Sequence, residues 1–192
     1  PNFYNDLRED ILQQSQLNPD FFVMVCNTAH YFYDDLQAQT SIPLLHMPRI
    51  AVDYLHQQFP EEKRIGLIAT AGTIADHVYA NEIERIGCEV VYGDESIQPK
   101  VNELIYTDIK ENNKVDAELY HEILQEMHDK FGVNVIVLGC TELSLAQEKA
   151  PDHPYQVIDA QSIIADQTLT LATKIRRQET IDWDQVTSHF VK

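Results

Sequence analysis

Two cysteines stand in similar surroundings, in positions that suit acid/base chemistry. Cys26 ends the apolar run FFVMVC (21–26), Cys140 follows the apolar run VNVIVLG (133–139), and a helical pattern follows each of them. A thiol between a buried strand and the first turn of a helix meets unpaired N–H groups, which favour a thiolate and also a bound carboxylate. If two such thiols face each other across a cleft, one removes a proton from carbon and the other returns one to the opposite face. The pair therefore predicts racemisation.

Other interpretations of the cysteines have less support. A single cysteine at the end of a buried strand is most often inert packing, but the repetition of the motif beside hydroxyl residues argues against that. Cys88, in GCEVV at the start of a strand, lacks such neighbours and is predicted to be inert. A zinc site on Cys26 and His30 would need a nearby second pair of ligands, and disulfide exchange would use a C-x-x-C motif. The sequence has neither.

Charge and composition exclude several classes of partner. The chain has 14 Lys and Arg against 31 Asp and Glu, so its formal net charge is -17, whereas nucleic acids and anionic lipid surfaces require clustered positive charge. No stretch approaches the roughly 18 apolar residues of a membrane span. Three cysteines cannot pair evenly, which favours reduced thiols and a cytoplasmic location. We expect a small-molecule substrate, with neither nucleic acid nor a membrane as partner.

Short apolar runs alternate with amphipathic segments along the chain. Six runs rich in branched residues predict strands buried on both faces: 21–26, 42–46, 64–69, 89–92, 133–139 and 155–159. Between them, apolar residues recur in steps of three and four, most clearly from Val115 to Phe131. The alternation predicts an α/β fold with parallel sheets flanked by helices.

The two halves of the chain show the same order of motifs. Cys26 precedes His46 by 20 residues and Cys140 precedes Asp159 by 19, and each of these later residues ends a predicted strand. The repetition predicts two pseudo-symmetric lobes, each with a parallel sheet, and an active site in the cleft between them.

The repetition also predicts how the chain divides. We expect a first lobe of residues 1–46 plus 160–192, which includes a C-terminal helix, and a second lobe of residues 47–159. Because more strands and helices precede Cys140 than precede Cys26, we expect the first lobe to lack about two strands and a helix before Pro1.

These motifs resemble the cofactor-independent aspartate/glutamate racemase superfamily, and most closely its aspartate racemase branch. The matching segments, within residues 21–170, are CNTAH (26–30), IPLLHMPR (42–49), GLIATAGT (66–73) and LGCTEL (138–143). Glutamate racemases of this family typically have His where Glu142 stands, which favours the aspartate branch. The resemblance implies a two-lobed enzyme that interconverts L- and D-aspartate, uses neither pyridoxal phosphate nor a metal, and forms a homodimer.

The resemblance also implies roles for individual residues. Cys26 and Cys140 are the base and acid pair. Polar residues around them are implied to bind substrate: Asn27, Thr28 and Thr141 at its α-carboxylate or amino group, Thr70 and Thr73 along the cleft, and Lys110 at a carboxylate.

Two further residues are implied to tune the thiols. Glu142 is close enough in sequence to influence Cys140, although an acidic residue in a first helical turn is also ordinary capping chemistry. His30 lies one helical turn beyond Cys26, where local hydrogen bonding is the stronger interpretation. Lys110 is equally consistent with a solvated lysine at a helix end.

The sequence departs from the family in one respect, and several functions stay open. Family members begin with a glycine-rich strand and carry a substrate-binding arginine before the first cysteine, and this sequence has neither. The alternatives are a glutamate or broad-specificity amino-acid racemase, a diacid isomerase in which one cysteine adds covalently, and a non-catalytic ligand-binding relative on the same scaffold.

Overall fold

The structure, a computed structural model, describes residues 2–188. Its strands are β1 (Phe22–Val23), β2 (Leu44–Leu45), β3 (Arg64–Ile68), β4 (Glu89–Val91), β5 (Val135–Leu138) and β6 (Gln156–Asp159). Its α-helices are α1 (Asn2–Ser15), α2 (Tyr33–Gln37), α3 (Met47–Gln58), α4 (Ala71–Ala75), α5 (Ala80–Arg85), α6 (Ile97–Asn102), α7 (Ala117–Phe131), α8 (Thr141–Lys149), α9 (Ala160–Arg176) and α10 (Trp183–Ser188). A 3-10 helix, Thr28–Phe32, precedes α2, and a π-helix, Glu103–Glu111, follows α6.

All strand pairs are parallel, in two sheets. One sheet has the order β4-β3-β5-β6 and the other pairs β1 with β2. Each of the six predicted runs contains a strand, so the α/β prediction with parallel, helix-flanked sheets is confirmed. The strands are shorter than the runs, and β1 and β2 most of all. Pro43 has no N–H to donate to a ladder, and β2 begins only after it.

The repeated order of motifs is also a repeated architecture. The segment β1-α2-β2-α3 has its counterpart in β5-α8-β6-α9, and in both the two strands are neighbours. Phe22 pairs with Leu44 and Val135 pairs with Gln156, so the partners lie 22 and 21 positions apart. This one-residue difference matches the spacing difference between the two cysteine motifs.

The four-stranded sheet is covered on both faces, because successive side chains of a strand point to opposite sides. In β5, Val135 and Val137 join a core cluster with α3, α5 and α9, whereas Ile136 and Leu138 join a cluster with α6, α7 and α8. A smaller cluster, which includes Ile11, Met24 and Leu36, lies beside the two-stranded sheet.

Helix α9 packs on α3, and both contribute to the same core cluster. The predicted lobe boundaries, which place α3 and α9 in different lobes, stay a prediction, as does the expectation about residues before Pro1. Residues 1 and 189–192, assigned to the first lobe, lie outside the described residues. No described helix is long and apolar enough to cross a membrane.

Candidate active site

Three strand ends meet at one edge of the four-stranded sheet. Ile68 of β3 pairs with Leu138 of β5, which pairs with Asp159 of β6. Thr70 and Cys140 each follow two residues after the end of their strand. In open parallel sheets, ligands bind beyond the carboxyl ends of the strands. The structure therefore brings Thr70, Cys140 and Asp159 together at the edge where a ligand site is expected.

Cys140 occupies the N-cap position of α8 and is 7% exposed. Its Sγ–H donates to Glu142 Oε2 at 2.7 Å, and Thr141 Oγ1 donates to the same oxygen at 3.1 Å. The Lys110 ammonium lies 3.4 Å from the other oxygen, Glu142 Oε1. Four of the predicted site residues thus form one connected group.

This group holds the Cys140 proton on sulfur. Burial, followed by the hydrogen bond to the Glu142 carboxylate, raises the pKa of Cys140 from 9.0 to about 12, although backbone N–H groups of Glu142 and Leu143 act in the opposite direction. Burial by itself raises the pKa of Glu142, but hydrogen bonds from Cys140, its own N–H and Thr141, with the charge of Lys110, bring it below its usual value. Without a ligand, Cys140 is a thiol and Glu142 a carboxylate.

Cys26 has a different local structure from Cys140. It stands one residue before Asn27, the N-cap of the five-residue 3-10 helix, and its Sγ lies 3.4 Å from Thr28 Oγ1. The helix predicted after Cys26 begins as a 3-10 turn. The tighter i to i-3 bond from His30 N–H to Asn27 O closes this turn, and the α-helix begins only at Tyr33.

His30 contacts the Cys26 backbone, as the stronger of its two interpretations, local hydrogen bonding, leads one to expect. Its Nδ1–H donates to Cys26 O at 2.8 Å, and its Nε2 accepts from Met47 N–H at 3.1 Å. Because a carbonyl cannot donate and an N–H cannot accept, these bonds fix one neutral tautomer. Burial lowers the pKa of His30 to about 4. Both ring nitrogens are engaged by backbone groups, so the local interpretation of His30 describes the geometry.

The side chain four positions after each cysteine lies close to the carbonyl oxygen of that cysteine. Ser144 corresponds to His30, and its Oγ donates to Asp159 Oδ1 at 2.6 Å and lies 3.5 Å from Cys140 O. Asp159 in turn caps α9, as His46 caps α3 by accepting from Arg49 N–H at 3.0 Å. Each cysteine turn is therefore tied to the start of the helix that follows the neighbouring strand.

The two predicted threonines hold the turn after β3. Thr70 is the N-cap of α4; its Oγ1 accepts from Thr73 N–H at 3.3 Å and donates to Thr73 Oγ1 at 3.1 Å. Thr73 is 2% exposed. Thr70 thus lies at the edge beside Cys140. Thr73 is hydrogen-bonded to Thr70 and is too buried to offer a ligand much surface.

Tyr79 joins the two cysteine motifs and was not predicted from the sequence. It is fully buried, and its phenol OH donates to Asn27 Oδ1. The edge of the same ring packs on Gly139, where an added Cβ would lie 3.3 Å from Tyr79 Cε2 and 2.9 Å from Ala69 Cβ. Glycine is required there because three side chains, the third being that of Leu67, approach the backbone. One side chain therefore links the residue after Cys26 to the residue before Cys140.

A separate groove of about 810 Å³ lies between α3, α9 and α10, and Asp53, Asp166, Lys174 and Gln185 are among its lining residues. Neither cysteine lines it, although Asp159 does. We place the candidate site at the strand ends and not in this groove, because the strand ends carry the cysteines and their hydrogen-bond partners.

Comparison with known proteins agrees with this geometry. The sequence profile of a family described as Asp/Glu/Hydantoin racemase matches residues 4–168. The chain belongs to this family. It is 28% identical over 158 residues to the broad-specificity amino-acid racemase RacX of Bacillus subtilis, covering 79% of this chain and 64% of RacX. It is 30% identical over 125 residues to a glutamate racemase of Latilactobacillus sakei, covering 64% of this chain and 44% of that protein. The chain thus spans about half to two thirds of these relatives.

Solved structures share the fold. An aspartate racemase homologue from Pyrococcus horikoshii superimposes with a TM-score of 0.76 at 22% identity, over 88% of this chain and 74% of that one. A glutamate racemase from Francisella tularensis in complex with D-glutamate gives a TM-score of 0.61 at 19% identity, over 90% of this chain and 66% of that one. The two-lobed α/β prediction is consistent with these neighbours.

Proposed function

We propose that this protein is a cofactor-independent amino-acid racemase that interconverts L- and D-aspartate by proton transfer between Cys26 and Cys140. The observation that carries the proposal is the contact of Tyr79 with both cysteine motifs, because it connects the residue after Cys26 to the residue before Cys140. Membership of the Asp/Glu/Hydantoin racemase family supports the reaction class.

The protonation state of the free site suggests which thiol acts first. Cys140 retains its proton through the bond to Glu142, so it is the acid. Cys26, as thiolate, takes the α-proton and becomes a thiol. Cys140 then gives its own proton to the opposite face of the α-carbon and becomes a thiolate beside Glu142. The enantiomer formed reverses these roles, and the number of protons on enzyme and substrate is conserved.

Removing the α-proton requires strong stabilisation of negative charge, since this proton is far less acidic than a thiol. Hydrogen-bond donors fixed around the α-carboxylate supply it without reorganising during the reaction. We assign this role to Asn27, Thr28 and Thr141, with Thr70 beside them. Each lies next to a cysteine or at the same strand-end edge. To donate to the carboxylate, the hydroxyls of Thr141 and Thr70 must turn away from Glu142 Oε2 and Thr73 Oγ1.

Lys110 and Glu142 support an acidic substrate. In the free site Glu142 is the carboxylate partner of Lys110. A substrate side-chain carboxylate that reaches Lys110 replaces this partner. The substrate carboxylate thus competes with Glu142 for the Lys110 ammonium. Binding of a dicarboxylic amino acid is thereby coupled to the carboxylate that accepts the Cys140 hydrogen bond.

A broad-specificity amino-acid racemase is the second candidate. RacX carries that description, and its match covers 79% of this chain. Under this candidate Lys110 contacts only some substrates. We further propose that the protein works in the cytoplasm as a homodimer; the three cysteines are free thiols, as two-thiol chemistry requires.

Incubation in D2O with single L-amino acids, followed by NMR of the α-proton, tests the proposal. We expect the α-proton signal of L-aspartate to disappear while D-aspartate accumulates. Equal exchange of several neutral amino acids would favour the broad-specificity candidate. A covalent adduct of substrate on one cysteine, found by mass spectrometry, would favour the diacid isomerase. Binding of aspartate without any exchange would overturn racemisation and leave a binding protein.

A further inference from the structure

Tyr79 has an environment that core packing alone does not explain. Its side chain is fully buried, yet its one polar group is aimed at Asn27, a residue 52 positions earlier in the chain. A buried phenol needs a hydrogen-bond partner, and a backbone carbonyl would serve as well as a side chain. The partner here is the side-chain amide beside Cys26, which we assigned to substrate binding.

Asn27 is free to make this contact because it does not cap its own helix. Asparagine at an N-cap position ordinarily accepts a hydrogen bond from a backbone N–H of the first turn. Asn27 stands at the N-cap of the 3-10 helix but its side chain makes no capping bond. Its Oδ1 instead accepts a hydrogen bond from the Tyr79 OH, and Asn27 is 7% exposed.

The bond determines which way the amide faces. A phenol has one proton to donate, and in the opposite amide orientation this proton would meet the Asn27 NH2 group, which cannot accept it. The phenol stays neutral and able to donate, because burial and the charge of Asp159 hold the pKa of Tyr79 well above its usual range. Oδ1 is therefore directed at Tyr79, and Nδ2 is turned away from it.

We propose that Tyr79 is a positioning residue that fixes the Asn27 amide so that its NH2 group donates to a substrate carboxylate in the cleft between the two cysteines. Among the described residues, no hydrogen-bond acceptor occupies Asn27 Nδ2, and this atom is not sealed from solvent. A carboxylate is the complementary ligand for such a donor. This inference rests on the proposed function, since it deepens the role given there to Asn27.

The test measures carboxylate binding directly and does not depend on turnover. The probes are L-aspartate and succinate, an achiral dicarboxylate, each titrated into isotopically labelled protein while the side-chain NH2 resonances of Asn27 are followed by NMR. The resonances are assigned by their loss in Asn27→Asp. In the wild type we expect a saturable shift of these resonances. In Tyr79→Phe we expect about tenfold weaker binding, the size of one lost hydrogen bond, with a changed or absent shift.

Tyr120→Phe is the matched control. Tyr120 is also fully buried, and its OH donates to an amide oxygen, Gln147 Oε1, at 2.6 Å. The two substitutions remove the same group from similar environments, so a loss of stability alone should appear in both. We expect Tyr120→Phe to bind both probes like the wild type and to leave the Asn27 resonances unchanged.

The outcomes separate this inference from the proposed function. Equal affinity in Tyr79→Phe and the wild type, or no shift of the Asn27 resonances with either probe, overturns the positioning role. Equal weakening by Tyr120→Phe overturns it too, because the effect would then come from stability. If the expected shifts occur but L-aspartate shows no exchange in D2O, racemisation fails while the role of Tyr79 in binding carboxylates stands.

Discussion

Substitution of Glu142 by Gln should make the Cys140 thiol easier to ionise. The carboxylate accepts the thiol proton at 2.7 Å, and its negative charge disfavours a neighbouring thiolate. Glutamine keeps nearly the same shape but removes the charge. It leaves unchanged the backbone N–H groups of Glu142 and Leu143, which favour the thiolate. The pKa of Cys140 should therefore fall.

The structure bounds the size of this effect. Raising the pKa of Cys140 from 9.0 to about 12 corresponds to roughly 4 kcal/mol against ionisation, at about 1.4 kcal/mol for each tenfold change. Burial is the largest cause and remains in Glu142→Gln, so the pKa should stay above 9.0. Loss of the carboxylate should raise the thiolate fraction at a fixed pH by about tenfold or more.

Alkylation by iodoacetamide at pH 8, followed by mass spectrometry, measures the effect. Cys26→Ser and Cys88→Ser should be present in every sample, so that Cys140 is the remaining cysteine. A more acidic thiol is also a weaker nucleophile, which offsets a tenfold gain in thiolate by about threefold. We therefore expect alkylation of Glu142→Gln to be about threefold faster or more.

Glu148→Gln is the control for this experiment. Glu148 is an exposed residue of the same helix, so its substitution changes the net charge equally but should leave alkylation of Cys140 unchanged. If Glu142→Gln is alkylated at the parent rate or more slowly, the carboxylate does not hold the proton on Cys140. Equal acceleration by both substitutions would assign the effect to overall charge.

The remaining predictions concern the cysteines and His30. Cys26→Ser and Cys140→Ser should each abolish racemisation with the fold intact, because a hydroxyl is a far weaker acid than a thiol. Cys88 Sγ–H donates to Glu62 O at 3.2 Å, away from the site, so Cys88→Ser should have nearly wild-type activity. Activity within tenfold of wild type in Cys26→Ser or in Cys140→Ser would exclude the two-thiol mechanism. Burial lowers the pKa of His30 from 6.5 to about 4, so between these pH values the unfolded state binds a proton that the folded state does not. The free energy of unfolding should thus fall by about 3 kcal/mol as the pH falls from 6.5 to 4. Glutamine also has a donor and an acceptor but does not titrate. Urea unfolding at pH 7 and pH 4 should therefore show this fall in the free energy of unfolding in the wild type and not in His30→Gln. The same fall in both proteins would show that His30 does not cause it.

Local patterns were sufficient to predict the elements that carry the site. The apolar runs before Cys26 and Cys140 predicted the strand ends, since buried parallel strands need continuous branched residues. The similar spacings from the cysteines to His46 and Asp159, 20 and 19 residues, predicted the repeated unit, because each spacing is one helix plus one strand. Lys110 and Glu142, 32 residues apart and named only through the family resemblance, do meet in the structure.

Contacts between distant segments could not be predicted in the same way. Tyr79 lies in a segment whose pattern predicts only a buried aromatic residue, and its partner Asn27 belongs to the other cysteine motif. The 3-10 turn after Cys26 depends on His30, which bonds to the Met47 N–H beyond the neighbouring strand. In both cases tertiary contacts decide a local conformation for which periodicity has no signal.

The two halves keep the same frame but surround their cysteines with different groups. The position two residues after the cysteine is Thr28 in one motif and Glu142 in the other, so within residues 2–188 only Cys140 of the two has a carboxylate partner. A racemase cannot use this asymmetry to favour one product, because enantiomers have equal free energies in water and kcat/KM must be equal in both directions. The asymmetry can appear only in the separate values of kcat and KM. The proton on Cys140 prepares the free enzyme for the enantiomer whose α-proton faces Cys26. The other enantiomer must bind to a form in which Cys140 is a thiolate, which burial and Glu142 disfavour, so its KM should be higher and its kcat higher by the same factor.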